Sequence, residues 1–137
     1  MQNILPVTPK PEQLSFDPKK AEQLNFEIGH IGINSDSMEQ AQQLASTFCL
    51  LFNLPIRQVP GVSFFADPLF ECMGRRGHGA NGHICILTDS VPEAMDFLTA
   101  RGADFLPETA KYDENGKIVF IYLKGEAGGF AIHLKQR

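Results

Sequence analysis

The sequence predicts an α+β fold built from two βαβββ modules in a pseudo-twofold arrangement, which together form a cupped mixed sheet with the helices outside. The first reason is an internal repeat: residues 29–41 and 82–94 share seven of thirteen amino acids at a constant offset of 53. The second is periodicity, since each copy passes from strand-like alternation to helix-like spacing. The third is length, because 137 residues suit two modules that share one core.

The first module is predicted to cover residues 26–76. Residues 26–34 alternate and are rich in isoleucine, which is typical of a strand, and Asn34 or Ser35 is expected to cap the helix that follows. Apolar residues then recur every three or four positions across residues 37–52, which predicts an amphipathic helix. Proline and glycine separate three further strands, expected at residues 56–59, 62–66 and 69–73.

The second module is predicted to cover residues 79–137 and to repeat this order. A strand at residues 82–87 leads into a helix that Ser90 caps and that ends at Arg101 and Gly102. Strands are expected at residues 103–106, 118–123 and 130–134, with a turn at residues 113–116.

Residues 1–25 are predicted to be an N-terminal extension or linker that precedes the domain at residues 26–137. Four prolines lie among polar residues there, and at most one helical turn is expected, near residues 19–24. The composition leaves two alternatives open: the extension packs on the domain, or it serves as a linker.

Composition argues against several classes of function. A net charge of -4 without a clustered basic run disfavours nucleic acid as a partner. No apolar run approaches the length of a membrane span, and no secretory signal is expected at the N-terminus. Cys49, Cys72 and Cys85 lack CxxC spacing, so we expect reduced, buried thiols in a cytoplasmic protein.

Four polar side chains are expected on the face of the strands that is turned away from the helices, because side chains alternate along a strand. His30 and His83 lie in the first predicted strand of each module, and Glu71 and His133 lie at corresponding positions in the last. Three imidazoles and a carboxylate suit a divalent ion such as zinc, nickel, iron, cobalt or manganese. Each residue taken alone is better explained as an ordinary core or surface residue. Their common register is what predicts a metal site.

The motifs GHIGI, LFECM, GHICI and GFAIHL, which carry these four residues, resemble the vicinal oxygen chelate superfamily. That superfamily includes glyoxalase I, extradiol dioxygenases, methylmalonyl-CoA epimerase and the fosfomycin- and bleomycin-resistance proteins. The resemblance covers residues 26–136. More narrowly, residues 82–105, 108–124 and 128–136 resemble the chelate-fold domain appended to some bacterial keto-deoxy-phosphogluconate and keto-hydroxyglutarate aldolases. The proline-rich extension would then correspond to the segment that links the two parts.

The resemblance implies a metal-dependent enzyme, of a lyase, isomerase or dioxygenase-like kind. Its substrate would be a small molecule with neighbouring oxygens, such as a 2-keto or sugar acid, bound by chelation and activated by oxyanion stabilisation. One residue departs from the pattern, because the last ligand place usually holds Glu or Gln and here holds His133. The change raises the net charge of the ligand set by one. It leaves Glu71 as the one ligand carboxylate and as the candidate proton shuttle.

Three further residues are candidates for substrate binding. Arg57 can pair with a carboxylate or phosphate, Tyr122 can hydrogen-bond a substrate oxygen, and Lys124 shares the strand face of Tyr122. The ordinary alternatives are a solvated charge for Arg57 and a rim aromatic for Tyr122.

Two other classes of function compete with the enzyme. The same cup can serve as a non-catalytic module that binds or senses a small molecule, or the domain can have a purely structural role without metal. A homodimer is one expected assembly, since exposed sheet edges often pair.

Overall fold

The repeat in the sequence appears twice as the same order of elements along the chain. The computed structural model describes residues 2–6 and 8–137. A 3-10 helix at Pro11–Leu14 and helix α1 (Pro18–Leu24) precede the modules. The elements of the first module are β1 (Glu27–Ile33), α2 (Met38–Phe52), β2 (Ile56–Val59), β3 (Ser63–Ala66) and β4 (Phe70–Met73). Those of the second are β5 (Gly82–Thr88), α3 (Val91–Ala100), β6 (Phe105–Tyr112), β7 (Ile118–Leu123) and β8 (Phe130–Gln136). The predicted α+β class and the doubled βαβββ order are confirmed.

The described residues divide into two units, which we name after the polar residue in the closing strand of each. The Glu71 unit comprises Ile28–Cys85 and Gly128–Ala131. The His133 unit comprises the described residues within Met1–Glu27, Ile86–Ala127 and Ile132–Arg137.

In the Glu71 unit, hydrogen bonding orders the strands β2-β3-β4-β1-β5. Strands β1 and β4 are parallel, whereas β3 is antiparallel to both β2 and β4, so the sheet is mixed. Helix α2 covers one face of this sheet, where Ala41 and Ala45 are fully buried against Phe64 and Cys72. The two alanines allow close contact between the helix and the sheet, which leaves the opposite face to the polar residues.

In the His133 unit, the strand order is β5-β8-β7-β6. Strand β7 is antiparallel to both of its neighbours. Helix α3 packs Val91 and Ala94 into a buried cluster with Ile121, Leu123 and Leu134.

The described part of the N-terminal extension packs on the His133 unit. Asp17 caps α1 by accepting a hydrogen bond from the amide of Lys20, and Leu24 at the end of the helix is buried in the apolar cluster of that unit. The hydroxyl of Thr88 donates to the carbonyl of Leu24 over 2.7 Å. The sequence left open whether the extension packs on the domain or serves as a linker. These contacts agree with packing on the domain.

Two local predictions were wrong. The residue that caps α2 is Ser37, not Asn34 or Ser35. The hydroxyl of Ser35 instead donates to the carbonyl of Met73. The strand expected at residues 103–106 instead runs over Phe105–Tyr112. That strand lies at the edge of the sheet, where Pro107 is tolerated and alternation is weak.

Among the described residues, no helix has the length and apolar character needed to cross a membrane.

Candidate metal centre

A row of residues in register crosses the face of the Glu71 unit that is turned away from α2. Arg57 on β2 pairs with Phe65 on β3, Phe65 pairs with Glu71 on β4, and Glu71 pairs with Gly32 on β1. Partners in register project from the same face of a sheet. The row therefore brings a cation, an aromatic ring and a carboxylate onto one face, and it ends at a residue without a side chain.

Gly32 ends the row because an imidazole occupies the space above it. A Cβ atom at Gly32 would overlap the ring of His83, which reaches across from β5. Gly82 precedes His83 with a φ of +147°, and a Cβ atom there would overlap the carbonyl oxygen of Gly32. The glycines of the two repeat copies thus let β1 and β5 approach closely enough for His83 to lie over β1.

Three ligand atoms converge within the Glu71 unit. Nε2 of His30 lies 3.4 Å from Oε1 of Glu71, and Nε2 of His83 lies 3.1 Å from the same oxygen. The two Nε2 atoms are 3.2 Å apart. The side chains of His30 and Glu71 are each 14% exposed and that of His83 is 6% exposed, so the group is largely shielded from solvent.

These separations fit the coordination of a first-row divalent ion. Imidazole and carboxylate ligands bind zinc at about 2.0–2.2 Å, so two ligands of one ion lie roughly 3.0–3.5 Å apart at right-angled or tetrahedral geometry. All three observed separations, 3.1, 3.2 and 3.4 Å, fall in that range. Both imidazoles present Nε2, and the carboxylate presents one oxygen.

Electrostatics keep Glu71 ionised. Burial alone would raise the pKa of Glu71, but hydrogen bonds with His30, His83 and Ser63 outweigh it and hold the pKa well below its usual range. The hydroxyl of Ser63 donates to Oε2 over 2.7 Å, which leaves Oε1 facing the imidazoles. A charged carboxylate is the form that binds a metal.

Cys72, next to Glu71 in the sequence, takes no part in this group. Its side chain is buried in the cluster beneath α2, on the other face of β4. Burial raises the pKa of the Cys72 thiol to about 11, so the thiol stays neutral at physiological pH.

Sequence reasoning missed two neighbours of the ligands, Ser63 and Phe65. Phe65 meets the ring of His30 edge to face, with the ring centroids 5.3 Å apart. Both residues lie on β3, two positions apart, so they project from the same face as Glu71. Their place beside Glu71 follows from the pairing of β3 with β4. The sequences of these short strands do not determine that pairing.

Arg57, a predicted substrate-binding residue, lies beside the ligands. Its guanidinium carbon is 4.1 Å from the centroid of the Phe65 ring. The same guanidinium pairs bidentately with Asp67, at 2.6 Å from Nε to Oδ2 and 3.0 Å from Nη2 to Oδ1. The hydrogen bond with Asp67 raises the pKa of Arg57. Arg57 is therefore oriented by Asp67, and its charge is partly balanced.

In the His133 unit, His133 is 3% exposed and lies among aromatic rings. The centroid of its ring is 4.4 Å from that of Phe120 and 5.0 Å from that of Tyr122. Lys124 follows the end of β7 and is exposed, and its amide donates to the carbonyl of Asp104. Of the four predicted ligands, His30, Glu71 and His83 come together within one unit. The role of His133 as a fourth ligand stays a prediction.

Comparison with known proteins shows a likeness of fold. A solved structure of a hypothetical protein from Bacillus halodurans aligns with this chain at a TM-score of 0.55 and 17% sequence identity. The alignment covers 82% of this chain and 94% of that one. No protein-family model matches the sequence, and no curated protein matches it. At this identity the likeness concerns the fold alone.

Proposed function

We propose that the protein is a metal-dependent enzyme of the vicinal oxygen chelate superfamily that binds a first-row divalent ion through His30, Glu71 and His83. The observation that carries the proposal is the convergence of two Nε2 atoms and Oε1 at separations of 3.1 to 3.4 Å. His133 is proposed as the fourth ligand because its place in the closing strand corresponds to that of Glu71.

The fold and the motifs support the superfamily together. The doubled βαβββ order is the arrangement that the motif resemblance implied. Gly32 in the motif GHIGI and Gly82 in the motif GHICI have a structural reason in the packing of His83 over Gly32. This reason ties the motif to the ligand position and not only to the strand.

A divalent ion held here would act as a Lewis acid toward a substrate oxygen and would acidify a bound water. Glu71 suits the role of ligand better than that of base. Its hydrogen bonds hold the pKa well below the usual range, and a carboxylate with a low pKa is a weak proton acceptor. We therefore assign Glu71 to holding the ion.

The substrate class proposed is a small acid with neighbouring oxygens, such as a 2-keto or sugar acid. Arg57 is the cation on the row that includes Glu71, and a guanidinium suits a carboxylate. Because Asp67 already occupies two of its donors, the substrate would share Arg57 with Asp67. Tyr122 and Lys124 remain proposed contacts for substrate oxygens.

The test of metal binding is elemental analysis of protein purified without a histidine tag. We expect about one equivalent of a first-row ion, which the His30→Ala, His83→Ala double variant should lose while its circular dichroism is unchanged. His78→Ala is the matched control, since His78 is exposed in the loop after β4, and it should keep the ion. An ion retained by the double variant, or absent from the wild type, would contradict the proposal.

A second candidate function is a non-catalytic module that binds a small acid. Phe65 favours it, because its ring lies 5.3 Å from that of His30 and gives the ligand group an apolar neighbour. Solvent exchange of the α-proton across a panel of keto and hydroxy acids supports the enzyme. Equilibrium binding of the same acids, with the ligand recovered unchanged, supports the module.

The proposal also includes a cytoplasmic location, in keeping with three cysteines that form no disulfide, and a homodimer formed through exposed sheet edges.

A further inference from the structure

Ser63 is the one residue of β3 whose hydroxyl contacts the proposed ligand Glu71. Its exposure is 0%, and its Oγ lies 2.7 Å from Oε2 of the carboxylate. The other oxygen, Oε1, is the atom that lies 3.4 Å from His30 and 3.1 Å from His83. The two oxygens of Glu71 thus have separate partners.

We propose that Ser63 is a positioning residue, which holds Oε2 so that Glu71 presents Oε1 alone to the metal ion. The inference rests on the proposed metal site. It adds that the carboxylate binds the ion through one oxygen and that the orientation of the carboxylate is set from β3.

The surroundings of Ser63 support a role in orientation. A carboxylate that binds an ion through one oxygen leaves a charged oxygen on the other side, and in a buried place that oxygen needs a donor. Ser63 pairs in register with Met73, two residues beyond Glu71, so its side chain lies on the Glu71 face of the sheet. The short strand β3 is completely buried, which fixes the position of this donor.

Removing the hydroxyl should free the carboxylate to rotate. Glu71 then either turns both oxygens toward the ion or leaves Oε2 without its donor. Both outcomes change the ligand field of the ion, and the second weakens its binding, because a buried charged oxygen is left without a donor. Partners in this position typically contribute about 10–100-fold to metal affinity.

The experiment compares Co²⁺ binding to the full chain in the wild type, Ser63→Ala and Ser63→Thr, by competition with a chelator and by the visible spectrum of the bound ion. We expect about 10–100-fold weaker binding and a changed spectrum for Ser63→Ala. Ser63→Thr keeps the hydroxyl and should restore most of the affinity. Ser35→Ala is the matched control, because Ser35 is also buried but donates to backbone carbonyls. It should bind Co²⁺ like the wild type.

A double-variant cycle separates positioning from a general effect on the fold. In a Glu71→Ala background, Ser63→Ala should change the affinity for Co²⁺ by less than about twofold, because the group that it positions is gone. Equal losses in both backgrounds, or a Ser63→Ala protein with wild-type affinity and spectrum, would overturn the inference and leave the metal site standing. A wild type that binds no Co²⁺ would overturn both.

Discussion

The closing strands of the two modules place their polar residue alike and surround it differently. Glu71 pairs in register with Phe65, and Ser63 pairs with the residue two beyond Glu71. His133 pairs with Tyr122, and Phe120 pairs with the residue two beyond His133. Phe120 therefore occupies in the His133 unit the place that Ser63 occupies in the Glu71 unit.

The difference between Ser63 and Phe120 follows from the chemistry of the polar residue that each one contacts. A buried carboxylate requires donors, and Ser63 supplies one to Glu71 over 2.7 Å. A neutral imidazole can pack against an aromatic ring, and the centroid of the Phe120 ring lies 4.4 Å from that of His133. The repeated backbone thus keeps the position of the polar residue in the closing strand. The side chains of the neighbouring strand determine whether a carboxylate or an imidazole can occupy that position.

The largest effect is expected from giving the second module the carboxylate of the first. In His133→Glu, the new carboxylate is buried beside Phe120 and Tyr122, and burying a charge in place of a neutral group is expected to cost up to about 3–5 kcal/mol. Burial raises the pKa of this group, so the loss is present at pH 7 and is recovered as the pH falls through that raised pKa. Urea unfolding of metal-free protein at pH 7 and pH 5 measures it.

His133→Gln is the control for that variant, because it is neutral at both values of pH and should show no such recovery. Adding Phe120→Ser to His133→Glu copies the Ser63–Glu71 pair and should regain part of the stability. Equal losses for the Glu and Gln variants at pH 7 would show that the two environments do not differ in the way described.

A second test removes the space that the first module reserves for an imidazole. In Gly32→Ala, the new Cβ overlaps the ring of His83, so His83 must move away from Glu71. We expect Co²⁺ affinity to fall by about 10–100-fold, measured by chelator competition. Gly77→Ala, in the loop after β4, is the control, because a Cβ there meets nothing within 4 Å. Comparable losses in both variants would contradict the packing argument.

Acid should remove the stability that the ionised carboxylate supplies in the metal-free protein. The pKa of Glu71 is lower in the folded chain than in the unfolded one, so its contribution is complete above about pH 4.5 and is lost as the pH falls further. Wild type should exceed Glu71→Gln by about 1.5 kcal/mol at pH 5, the low end for hydrogen bonds to a charged group. Guanidinium unfolding between pH 5 and pH 2 should show this gap closing. A constant gap would mean that Glu71 is not held ionised.

The smallest effect concerns Arg57. The ion pair with Asp67 is about half exposed on the arginine side, so Arg57→Met should cost less than about 1 kcal/mol of stability. Metal affinity should stay within about twofold, since Arg57 contacts Phe65 and its charge is paired with Asp67. Weaker binding of carboxylate ligands, with Co²⁺ affinity unchanged, would support the substrate role. Equal binding of charged and uncharged ligands would argue against it.

The repeat made much of this fold readable from the sequence. Two Gly-His-Ile copies at an offset of 53 predicted both modules, and strand alternation predicted that His30, Glu71, His83 and His133 lie on the face turned away from the helices. The order of elements was predictable because the repeat shows it twice, and a period of two fixes the face of every side chain once the strand is known.

The parts that escaped prediction depend on contacts distant in the sequence. Residues 34–37 are all of types that can cap a helix. Ser37 caps α2, whereas the hydroxyl of Ser35 donates to the carbonyl of Met73, 38 residues away. The roles of Ser63 and Phe65 depend on the register between β3 and β4. The length of β6 depends on its place at the sheet edge, where a polar, proline-containing strand is tolerated.

The buried ring of Tyr122 has a practical consequence for spectroscopy. The chain contains no tryptophan and two tyrosines, so ultraviolet emission comes from Tyr112 and Tyr122. Tyr112 is exposed to solvent, whereas Tyr122 is buried with its ring centroid 5.0 Å from that of His133. A change at the ring of His133 should therefore alter the emission of Tyr122, whereas Tyr112 adds a background that does not depend on that contact.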